Sequence, residues 1–303
     1  MCAMTRGFVI FLLLFFVWSS MAAPLTATEV KLETAQGRVL NANLASAPDW
    51  PTGPVVLMVH GTLAHKEMEL MHTLQSLFLE QGVSSLAVNL SLGLDDRHGF
   101  YDCGRTHRHR HADAVLEIGD WMDWLRHQGV DSVFLLGHSR GGNQAAWYAV
   151  ERKDPSLRGL ILLAPMTWRA DRAVAEYADR YGKPLPALLD KARELVASGR
   201  GHAVIANVDF LYCRGASATA QAILSYYGED ARKDTPTLLR RVTVPVLVFA
   251  GSEDRIVSDL VDRLRALPRH APVEMVVVSG ADHFFRDLHA DEVVERALEF
   301  MGR

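Results

Sequence analysis

Residues 134–142, Phe-Leu-Leu-Gly-His-Ser-Arg-Gly-Gly, constrain the fold more than any other stretch of the chain. An apolar run enters a Gly-x-Ser-x-Gly turn, and Asn143 to Val150 leaves it with helical patterning. A chain that ends a buried strand on a serine and starts a helix at once is committed to a strand–turn–helix unit, the repeat of a parallel sheet covered by helices. On so tight a turn, side chains two residues before and after the serine would collide, which explains glycine at 137 and 141. Ser139 is therefore a candidate nucleophile. It sits at a helix N-terminus, where unpaired N–H groups favour developing negative charge.

The rest of the chain keeps the same alternation. Residues 28–34 and 38–44, with Gly37 between them, predict an opening hairpin. A turn-rich segment at 48–54 then delivers the chain into Val55 to Val59, an unbroken apolar run suited to a strand buried on both faces. Further strands are predicted at 84–89, 132–136, 159–163, 244–250 and 273–279, and helices at 66–80, 109–127, 140–152, 257–267 and 287–301. Between Pro165 and Arg241 the alternation fails: the stretch has helical periodicity, scattered aromatic residues and no good strand. The simplest reading is a helical cap, at about 167–241, laid over the edge of the sheet where open α/β folds bind ligands.

Composition narrows the function classes. The 303 residues are 49% hydrophobic and 22% charged, the profile of a folded domain with a sizeable core. With 32 Lys and Arg against 36 Asp and Glu, the formal charge of −4 lacks the basic excess that phosphate backbones demand, so no nucleic acid partner is expected. Residues 8–18 are continuously apolar, preceded by Arg6 and followed by small residues, which predicts a secretory signal over 1–22 and a mature domain over 23–303. The apolar run is short for a membrane span, so no stable anchor is expected after cleavage. Of the three cysteines, Cys103 and Cys213 remain in the mature chain, either joined by a disulfide or standing as two buried thiols.

A serine hydroxyl needs a base and an orienting carboxylate to become a nucleophile. Asp254 lies in the loop that leaves the predicted strand 244–250, and His283 in the loop after the strand 273–279, giving the chain order serine, acid, histidine. Glu253 is the alternative acid. The apolar strand at 55–59 runs into His60-Gly61-Thr62, so the Thr62 N–H and the Arg140 N–H are the candidate oxyanion hole; His60 is read as a brace for that loop.

Together His60-Gly61, Gly137 to Gly142, Asp254 and His283 resemble the α/β-hydrolase fold superfamily over nearly all of the mature chain. The resemblance implies a mostly parallel sheet flanked by helices and a Ser139, Asp254, His283 triad that needs no cofactor and no metal. It points to a carboxylesterase-type enzyme acting on a small acyl substrate through an acyl-enzyme. Serine aminopeptidases, thioesterases, cofactor-free peroxidases and a non-catalytic binding protein of the same fold stand as alternatives. One stretch, Asp95-Asp96-Arg97-His98 and then Tyr101 to His111, departs from anything the superfamily demands. Its alternating His107, His109 and His111 invite three readings: a metal site, a basic lip at the mouth of the pocket, or an exposed loop or helix face.

Overall fold

The computed structural model describes residues 27–269 and 271–302; the predicted signal segment lies outside them. Strands β1 (Thr28–Glu33) and β2 (Val39–Ala45) form the opening hairpin, followed by β3 (Val55–Val59), α1 (Glu69–Glu80), β4 (Ser84–Asn89) and α2 (Asp113–His127). Then come β5 (Val133–His138), α3 (Arg140–Glu151) and β6 (Leu157–Leu163). An insertion carries α4 (Ala170–Tyr181), α5 (Leu185–Ala197), β7 (Val204–Phe210), β8 (Cys213–Thr219), α6 (Ala220–Tyr227) and α7 (Thr235–Leu239). The chain closes with β9 (Val246–Gly251), α8 (Leu260–Arg265), β10 (Val273–Val278) and α9 (Leu288–Phe300).

Eight strands make one sheet in the order β1-β2-β4-β3-β5-β6-β9-β10. From β4 to β10 all neighbours are parallel, and the antiparallel pairs of this sheet are β1–β2 and β2–β4. This is the α/β-hydrolase fold. Every residue of β3, β4, β5 and β9 is buried, as strands covered by helices on both faces must be, and this explains the unbroken apolar runs of β3 and of residues 246–250 in β9. Helices α1 and α2 contribute Phe78 and Trp121, both fully buried, to the layers that cover the sheet. Among the described residues, no helix is long and apolar enough to cross a membrane.

Two expectations require correction. The insertion is not wholly helical: β7 and β8 form an antiparallel ribbon of their own, separate from the main sheet. Its alternation is hidden in the sequence because the register shifts twice and Asn207 and Leu211 adopt positive φ, breaking the period of two. Helix α2 also begins later than predicted. The stretch before it is extended, since the His107 N–H donates to the Ser217 carbonyl at 2.7 Å and the Thr219 N–H to the His107 carbonyl at 2.9 Å, so this stretch bridges to the ribbon. A disulfide between Cys103 and Cys213 fastens the same two segments, 110 residues apart in sequence.

Candidate active site

The parallel register brings the predicted site residues to one edge of the sheet. His138 at the end of β5 is level with Leu163 of β6, which is level with Phe249 of β9, and Gly251 is level with Val278 of β10. The loops that follow β3, β5, β9 and β10 therefore leave from the same end, carrying Thr62, Ser139, Asp254 and His283.

Ser139 occupies the turn between β5 and α3 with φ 55° and ψ −117°, a conformation that L-residues rarely adopt. Its N–H donates to the Leu163 carbonyl at 2.9 Å, and its carbonyl accepts from the Met166 N–H at 2.9 Å and from the Gly142 N–H at 3.1 Å. A Cβ at Gly137 would lie 2.5 Å from the Gly141 carbonyl oxygen, and one at Gly141 would lie 2.4 Å from the His60 carbonyl oxygen. The turn closes only because both positions are glycine.

His283 is buried, and its Nδ1 lies 2.8 Å from Asp254 Oδ2. Burial raises the Asp254 pKa, but the hydrogen bond and charge of His283, with the Val257 and Ile256 N–H groups, outweigh it and hold the carboxyl below its ordinary value. A carboxylate so held keeps the proton on His283 Nδ1 and leaves Nε2 as an acceptor. Glu253, the alternative acid, is exposed, and it is Asp254 that faces the histidine. His138, next to the serine, donates from Nε2 to the His283 carbonyl at 2.9 Å. Burial and the His283 charge push the His138 pKa down to about 3, so this ring is a neutral tie between the two loops.

Thr62 and Arg140 line a cavity of about 380 Å³ that Ser139 also faces. Among the described residues, neither of their backbone N–H groups has a protein acceptor. His60 fixes the loop before Thr62. Its Nδ1–H donates to the Gly61 carbonyl at 2.8 Å, while Nε2 accepts from the Leu90 N–H and from Arg97 Nη2, both at 3.1 Å. Burial first, then the Arg97 charge, hold this histidine well below its usual pKa. Arg97 was not anticipated in this role from the sequence. Its buried guanidinium donates to the Ala64 carbonyl at 2.8 Å, to Asn89 Oδ1 at 2.6 Å and to the Leu90 carbonyl at 2.8 Å, locking the loops after β3 and β4 together.

The histidine stretch is neither exposed nor a helix face: His107, His109 and His111 are all buried. The three do not form a group of close ligand atoms; among the described residues that grouping is met by Glu29, Asp96 and His98, where Lys66 Nζ already lies 2.5 Å from Glu29 Oε2. His107 and His111 pack on Tyr226, and His109 Nδ1 lies 3.0 Å from the Tyr226 hydroxyl. His111 bonds Asn143 Oδ1 at 2.8 Å through Nε2 and faces Arg140 Nη1 at 3.1 Å through Nδ1. The stretch thus forms a wall between the core and the insertion. The insertion supplies most of the remaining cavity lining, including Trp168, Tyr177, Tyr212 and Tyr227, residues that converge only after folding.

Comparison with known proteins agrees with this architecture. The family described as serine aminopeptidase, S33, matches residues 51–292. A proline iminopeptidase of Clostridioides difficile is 33% identical over 69 residues, 22% of this chain and 23% of that protein. The phospholipase YtpA of Bacillus subtilis is 28% identical over 160 residues, 51% of this chain and 60% of its own. The chain thus matches less than two thirds of either relative's length. Among solved structures, Est1E of Butyrivibrio proteoclasticus with bound ferulic acid superposes with a TM-score of 0.63 at 22% identity, covering 90% of this chain and 97% of that one. A monoacylglycerol lipase of Paleococcus ferrophilus gives 0.59 at 20% identity, covering 86% and 98%. At such identities these likenesses speak for the fold.

Proposed function

Because the chain belongs to the serine aminopeptidase S33 family of α/β hydrolases, we propose that it is a serine hydrolase that cleaves carboxylic esters through an acyl-enzyme on Ser139. The observation that carries the reading is the buried His283–Asp254 pair at 2.8 Å, tied by His138 to the strained turn that presents the serine. In this mechanism His283 Nε2 takes the Ser139 proton as Oγ attacks the ester carbonyl. The Thr62 and Arg140 N–H groups receive the oxyanion, and His283 returns the proton to the leaving alcohol. Water, deprotonated by the same ring, then releases the acid and frees the serine. Asp254 keeps the ring in the correct tautomer and stabilises the imidazolium.

Ester is preferred to peptide for a reason of charge. An aminopeptidase must hold a substrate ammonium, and the one carboxylate among the described lining residues is Glu176, already engaged by Arg172 Nε at 2.5 Å. The insertion serves as a cap that shapes the acyl pocket. The chain is exported with removal of residues 1–22, a reading supported by the disulfide, which persists in oxidising compartments.

Incubation with a fluorophosphonate probe, read by intact mass, tests the mechanism. One adduct on the wild type and none on Ser139→Ala is expected, and the same spectrum of protein from its producing cell should begin at Ala23. An unlabelled, folded wild type would overturn the assignment of Ser139.

A further inference from the structure

The cavity over Ser139 is strongly cationic in a chain whose formal charge is −4. Arg140, Arg169, Arg172, Arg180 and Arg255 line it against the single carboxylate of Glu176. Two of the five are neutralised nearby, Arg169 by Asp171 at 2.7 Å and Arg172 by Glu176 and by Asp259 at 2.8 Å. Among the described residues, Arg140, Arg180 and Arg255 have no carboxylate partner.

Arg140 is the most informative of the three, because its guanidinium is held in place entirely by uncharged groups. Its Nε donates to Thr62 Oγ1 at 2.9 Å, its Nη1 donates to His111 Nδ1 at 3.1 Å, and it lies 5.1 Å from the centre of the Tyr226 ring. His111 is fully buried between Asn143 and Trp147, so it meets Arg140 as a neutral acceptor and cannot balance its charge. Two of the five guanidinium N–H groups are consumed in this way, leaving three in a planar fork beside the nucleophile. Half-buried on the cavity wall with no anion beside it, this guanidinium is a ready partner for an anionic ligand group. Arg180, over the Tyr212 ring at 4.6 Å, and Arg255 add positive potential at the mouth.

We propose that the substrate is an ester whose acyl portion carries an anionic group, a dicarboxylic acid monoester being the simplest member, with Arg140 as the residue that binds the free carboxylate. This inference rests on the esterase reading above and gives it a substrate class. Arg140 then has two roles at one position: its backbone N–H faces the oxyanion, and its side chain selects the acyl group. Fork-shaped pairing of guanidinium with carboxylate supplies direction as well as attraction, so it registers the carbonyl carbon against Ser139.

The test compares mono-4-nitrophenyl glutarate with 4-nitrophenyl pentanoate, esters of similar length that differ by one charge. The wild type is expected to favour the charged ester by about tenfold or more in kcat/KM, the size of one charge-assisted contact. The preference should shrink as salt screens the mouth. Arg140→Gln, which retains the backbone N–H, should abolish the ratio between the two esters, Arg140→Lys should restore part of it, and Arg255→Gln should reduce it by about threefold. Should Arg140→Gln fail to fold, Arg140→Lys, expected to lower the ratio, and the exposed Arg180→Gln, Arg255→Gln double variant, expected to lower it by about threefold or more, carry the test. Equal rates on the two esters in the wild type, or a ratio indifferent to all of these substitutions, overturns the anion site and leaves the hydrolase reading intact. If neither ester turns over and no probe adduct forms, calorimetric titration of Ser139→Ala decides. Binding of the charged ester alone upholds the anion site while the hydrolase reading falls, and binding of both or neither removes the site as well.

Discussion

At the scale of single residues, the site depends on backbone approaches that tolerate no added atom. A methyl group at position 141 would press on the His60 carbonyl oxygen at 2.4 Å and the Val59 carbonyl oxygen at 2.5 Å, neither of which can rotate away. The strand end carrying His60 must then shift, and the Thr62 N–H shifts with it. A displacement of about 1 Å in a catalytic group costs on the order of 10² in rate. Gly141→Ala is therefore expected to lower kcat by about that factor and to lower Tm, measured by ester hydrolysis and thermal melting; activity within about threefold of wild type would contradict the argument. These glycines, and the serine, acid and histidine in loops after strands, were legible in the sequence because each role demands a residue type at a fixed distance from a strand end. The side chains of Arg97 and Arg140 were not. Arginine is common on surfaces, and nothing local distinguishes a guanidinium that stays out of water from one that reaches it.

At the scale of elements, legibility followed burial. Strands such as β3, β5 and β9 are largely apolar because both faces are covered, and their bounds in the sequence match the structure to within about two residues. The ribbon β7–β8 escaped notice because the exposed pairs in β7 alternate with nothing regular, its burial running exposed, buried, exposed, exposed, then buried to the end. The extended course of His107 to His111 was illegible for a different reason: its partner, β8, is over 100 residues away. Where local propensity is weak, such a pairing depends on what holds the two segments together. The Cys103–Cys213 bond closes a loop of 110 residues and should stabilise by about 4 to 5 kcal/mol in the chain-entropy account. A Cys103→Ser, Cys213→Ser double variant is expected to lose that amount in urea unfolding, with the ester preference loosening as Tyr212 and Leu211 drift from the cavity. Coincident unfolding midpoints for the two proteins would refute the stabilising role.

At the scale of the whole molecule, several buried histidines are kept neutral, and this makes stability depend on pH. His107 and His138 are both driven down to about 3, by burial and then by the charges of His109 and His283 respectively. His60 and His111 are held well below their ordinary value by burial and then by Arg97 and Arg140. Between about pH 6.5 and 3 the unfolded chain takes up protons that the native state refuses, so stability falls as pH falls through this window. His107 and His138 each cost about 2 kcal/mol at pH 5 relative to neutrality, and His60 and His111 act in the same direction. Unfolding free energies from urea titrations at about pH 7.5 and pH 5 should differ by several kcal/mol; equal values would mean that these rings titrate normally in the fold. The disulfide has a consequence for the covalent connectivity of the molecule as a whole. Residues 103–213 form a closed ring that contains β5, Ser139, α3 and β6, the middle of the sheet. A protease that cuts the exposed turn at Arg200 opens this ring without producing two fragments, so the nicked chain keeps its full mass until a reductant reaches it.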